Sequence, residues 1–120
     1  LRDRYLTDAS QTVSPGRLVV MLYDGLASDL ARAEHALAAG DAVLARERLV
    51  RAQAIVLELL ASLDLHAWAG AAGLAQVYVF LHRQLVDAHV GRDPARVATC
   101  IRLVEPLREA WTEALAEVAR

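Results

Sequence analysis

Two proline pairs decide what this chain can fold into. Ser14-Pro15 and Asp93-Pro94 each set a side-chain oxygen before a proline. That pairing opens a helix, because the ring pre-sets φ and its missing N–H is one the first turn leaves unbonded anyway. Gly40-Asp41, and Gly91 shortly before Asp93, mark one helix ending and the next beginning within a few residues. The punctuation predicts four helices, at about 15–39, 41–64, 71–90 and 94–119. Connections this short join antiparallel neighbours, so the expected architecture is all-α, an antiparallel up-down four-helix bundle. Residues 1–120 read as one domain, with 1–13 a mostly polar leader too short to fold alone. No alternating strand pattern, internal repeat or low-complexity tract competes. Pro106 falls inside the last helix and is expected to bend it near 102–106.

The helices carry more apolar surface than one core requires. The chain is 56% hydrophobic, yet no apolar run approaches a membrane span, so no membrane insertion is expected. The run Leu18–Tyr23 places six apolar residues in succession, which a helix spreads in every direction. On the first helix Val19, Leu22, Tyr23, Leu26, Leu30, Ala33 and Leu37 form the core stripe, leaving Val20 and Met21 off it. The second turns Ala45, Leu49, Ala52, Val56, Leu59, Leu60 and Leu63 inward, while Val43, Val50 and Leu57 recur every seven residues on another side. The third buries Leu74, Val77, Tyr78, Leu81, Leu85 and Ala88 and shows a further stripe of Val79, Val86 and Val90. The fourth is nearer an ordinary amphipathic helix, with Val97, Cys100, Val104, Leu107, Trp111, Leu115 and Val118 together. Aligned stripes on successive helices point to a partner groove, or to self-association as a monomer–weak homodimer system.

Chemistry is harder to find. The formal charge is −2 and the 13 basic residues, all arginine, form no stripe, which argues against nucleic acid. The single cysteine, Cys100, permits no internal disulfide and falls on a core stripe, as an inert thiol would. No glutamate has a histidine three residues later, so the di-iron bundle pattern is missing; His82 and His89 have no further ligand to complete a zinc site. Asp24 and Asp29 read as solvated helix positions rather than an acid–base pair. No catalytic residue, cofactor or metal is expected, and no basic n-region begins a signal peptide.

Tyr5, the polar spacer to Ser14-Pro15, Leu18 and "MLYDG" at 21–25 resemble the signature of the flagellin export chaperone family, FliS. "RAQAIVLEL" at 51–59, Leu63-Asp64, Tyr78, "LVDAH" at 85–89 and "LREAW" at 107–111 are similar to the family's later motifs in order, with His89 standing where the family usually has Asn. The resemblance implies a cytoplasmic helical bundle that binds the disordered C-terminal segment of flagellin, prevents premature polymerisation and presents it to the flagellar type III export gate. It implies that Tyr5 takes part in docking and presentation. With it, the expected partner-binding residues are Tyr5, Val20, Met21, Val43, Val50, Leu57, Val79 and Val86. A structural four-helix oligomerisation module without flagellin binding is the alternative.

Overall fold

Side-chain caps start the helices where the sequence places them. In the computed structural model, which describes residues 14–118, Ser14 Oγ accepts the Arg17 N–H at 3.2 Å and opens α1, Pro15–Ala38. Asp41 Oδ1 accepts the Leu44 N–H at 3.1 Å and opens α2, Ala42–Ser62. Helix α3 spans Ala71–Gly91, and α4 spans Pro94–Val118 after Asp93, whose Oδ1 accepts the Ala95 N–H at 3.0 Å. Each cap satisfies a first-turn donor that the helix itself leaves unbonded. Between α1 and α2 the chain turns through Gly40 at φ +75, a left-handed conformation that glycine adopts without steric cost. Helix α2 stops two residues short of the expected end, since Ser62 turns its hydroxyl back onto the Leu59 carbonyl and Leu63 is already extended. Pro106 lies on an exposed face of an uninterrupted α4, so the Arg102 carbonyl it leaves without a donor faces water.

The helices form a four-membered ring in which α1 packs on α2 and α4, and α3 closes it by packing on the same two. Leu26, Leu30, Leu49, Val56, Leu81, Leu85, Val97 and Val104 fill the middle. The two tyrosines meet there across the diagonal, their hydroxyls sharing a hydrogen bond of 2.6 Å. Burial, and then that bond, raise the Tyr23 hydroxyl pKa, which Trp111 opposes slightly; burial likewise raises Tyr78. Cys100 is fully buried as expected, and burial pushes its thiol up to about 11.

Three expectations need correction. Leu18 belongs to the core rather than merely to the apolar run. Val118 is 84% exposed, because Leu115 already lies beside Gly16 at the start of α1 and the helix continues past it. Asp29 is not solvated: it is 3% exposed and paired with Arg48 at 3.2 Å, with Arg51 at 3.8 Å, across the α1–α2 seam. A carboxylate at that depth needs a cation, and both that reach it come from the neighbouring helix.

Leu81→Ala should cost about 2–5 kcal/mol, since it opens a cavity at the centre of α3, whereas Val50→Ala at the surface should stay within about 0.5 kcal/mol; urea titration followed by circular dichroism measures both. Equal losses would overturn the division into core and outer stripes. A second expectation concerns alkali. The Cys100 and tyrosine shifts are upward for acids, so the folded state keeps protons that the unfolded chain releases. Their contribution to stability should be constant up to about pH 9 and be lost as pH rises above it. Cys100→Ala should remove the earliest part of that loss, and an unchanged profile would contradict it.

Candidate functional site

Contacts between helices fix which flank each exposed stripe occupies. On α2, Arg48 reaches Asp29, and Ile55 lies where a Cβ on Gly25 would be 3.4 Å away, so these two face α1. A rotation of about 100° per residue puts Val50 and Leu57 on the opposite flank, toward α3. On α3, Gln84 accepts from Arg96 of α4 at 3.2 Å and Asp87 pairs with the same guanidinium at 3.6 Å. Val79 and Val86 therefore lean the other way, toward α2. The ends of α2 and α3 meet where Arg46 and Val90 line one cavity, and antiparallel counting from there sets Val50 level with Val86 and Leu57 level with Val79. Val43, 79% exposed, and Val90, 80% exposed, stand at that same end. Five of the sequence-predicted residues, Val43, Val50, Leu57, Val79 and Val86, thus border one seam. Val86 is half-buried within it and the other four are exposed.

The remaining residues do not join them. Val20 is half-buried and shares its flank of α1 with Gly16, beside Leu115, and with Asp24, whose carboxylate takes the Arg108 Nε–H at 2.7 Å; that flank faces α4. Met21 is exposed and shares the other flank with Gly25, toward α2. The two sit on opposite sides of α1 and away from the α2–α3 seam. Tyr5 lies outside the described residues.

Sequence reasoning missed three exposed apolar side chains. Phe80 shares the α4 side of α3 with Gln84, one turn on, and the uninterrupted run Val77–Leu81 carries the same signal as Leu18–Tyr23. Leu65 and Trp68 lie in the α2–α3 connection, where the indole covers Gly70 so closely that any Cβ there would collide with it. Among the described residues no three His, Cys, Asp or Glu side chains converge as metal ligands, and no helix is long and apolar enough to cross a membrane.

Among the described residues the architecture is an all-α bundle with exposed apolar flanks on neighbouring helices. The chain belongs to the family described as flagellar protein FliS, whose model matches residues 1–118. It is 30% identical over 111 residues to the flagellar secretion chaperone FliS of Bacillus subtilis, covering 92% of this chain and 83% of that protein. It is 33% identical over 107 residues to the Salmonella typhimurium protein of the same name, covering 88% and 79%. The Vibrio cholerae chaperone, also of that name, is 28% identical over 101 residues, covering 83% and 74%.

Met21 is the chain's single methionine, so its exposure can be read chemically. Mild peroxide should convert it to the sulfoxide with helicity intact while Cys100 stays reduced. Peptide mass mapping that found Cys100 oxidised first would contradict the burial of the one and the exposure of the other.

Proposed function

We propose that the chain is a flagellar secretion chaperone without catalytic activity of its own, acting in the cytoplasm. It binds the disordered C-terminal segment of flagellin in the α2–α3 groove, prevents premature polymerisation and delivers the segment to the export apparatus. The observation that carries this reading is the apolar seam itself: Val50 with Val86, and Leu57 with Val79, on a chain of the FliS family. A segment that packs against its neighbours in a filament has apolar faces that aggregate when bare. An amphipathic helix laid into a groove of this kind hides them. Ordering a disordered segment costs several kcal/mol, so the contact must be mostly apolar burial. Val20 and Met21, on the two flanks of α1, would serve a ligand only where it wraps beyond the seam, or would lie beneath the leader that carries Tyr5.

Val50→Asp with Leu57→Asp should leave the far-ultraviolet spectrum unchanged and weaken binding of a flagellin C-terminal peptide about a hundredfold, a loss of a few kcal/mol. Added salt should not restore it, because the missing contribution is apolar burial. Calorimetry of the parent should give a negative heat-capacity change. A folded double variant that binds as tightly as the parent would remove the groove from this surface. An oligomer that forms without the peptide and ignores it would favour the oligomerisation module instead.

A further inference from the structure

The α2–α3 seam ends in a cavity of about 240 Å³ between the first turns of α2 and the last turn of α3. That is several times the ~30 Å³ share of one water. Its floor is apolar, from Leu37, Ala45 and Leu49, and its rim carries Arg46, His89 and Arg92 with the exposed Val90. Among the described residues no carboxylate lies within ion-pair distance of Arg46 or Arg92, whereas Arg48, Arg96 and Arg108 all have acidic partners. Glu47, next to Arg46 in sequence, makes no ion pair with it, and Asp41, five residues before, is occupied in capping α2. Arg92 also stands in the left-handed region, φ 50 and ψ 47, although a glycine immediately precedes it. Most side chains resist that conformation, so nothing in the backbone favours arginine there.

We propose that this cavity takes the C-terminal residue of the flagellin segment, its apolar side chain on the Leu37–Leu49 floor and its free α-carboxylate between Arg46 and Arg92. The proposal rests on the flagellin reading above. It commits the site to one occupant by charge: an apolar floor gives a bare inorganic anion nothing to bury, and two guanidiniums without an acidic partner among the described residues suit a carboxylate. It also sets direction. A ligand helix in the groove would run from Leu57 toward Val43, antiparallel to α2, over about 21 Å at ~1.5 Å per residue. Its C-terminal dipole end would then meet the basic rim.

Paired peptides test this, identical flagellin C-terminal segments ending in a free carboxylate or in an amide. The parent should bind the acid about tenfold more tightly, with the difference shrinking as salt rises. Arg46→Gln with Arg92→Gly should bind both forms equally, and the glycine should not lower the melting temperature, since it suits φ 50. A photo-crosslinker one residue before the peptide's end should label the first turns of α2 and not the region of Leu59. Equal binding of acid and amide by the parent would overturn the proposal while leaving the flagellin reading intact, as would an acid preference that survives in the double variant. Failure of the parent to bind either peptide would overturn both.

Discussion

One hydrogen bond crosses the diagonal of this bundle, and the outward stripes depend on it. Tyr78 sits in the run Val77–Leu81, and Tyr23 ends the run Leu18–Tyr23. In both, hydrophobicity alone is nearly indifferent to rotation, because turning either helix by one residue replaces one apolar side chain in the core with another. The hydroxyls are not indifferent. Buried at 2.6 Å from each other they satisfy one another, and a helix rotated by about 100° would strand both. The pair thereby sets which face of α3 looks outward, and with it Val79 and Val86. Asp29 does the same for α1 against α2 through Arg48. Buried polar contacts of this sort contribute less to stability than to the choice of one packing among several close in energy.

That division explains what could be read from the chain and what could not. Helix starts at Pro15 and Pro94 were legible because capping is local, settled within three or four residues. Most of the core was legible from periodicity, and so was the exposure of Val43, Val50, Leu57 and Val79. The burial of Asp29 was not, since its partner lies 19 residues away on another helix and no local pattern announces it. The exposure of Val118 depends on where α1 begins, which is again information held by a different helix. For the site, the sequence shows which residues leave the core but not which neighbour stands beside each flank. The sequence therefore groups Val20 and Met21 with the other expected partner-binding residues, although the contacts of Gly16, Asp24 and Gly25 place them on opposite sides of α1.

A groove of the kind proposed has to exist without its partner for some time, and the construction of the stripes makes that tolerable. Val43, Val50 and Leu57 are spaced by two helical turns, with Glu47, Arg51 and Glu58 along the outer side of the same helix. Each valine is thus an isolated apolar spot bordered by charge, and such spots are ordinary on a protein surface. Only a ligand with its own apolar residues at matching heights would join the spots on α2 to those on α3 and collect the burial of both. A second bundle presenting the same charged borders would have to desolvate them or pair them. In the groove proposed above, the spacing that makes the surface harmless alone would also make it selective for a helical segment of the right period. The floor beneath, held in one rotation by Tyr23 and Tyr78, would let that period be read without the chaperone itself refolding.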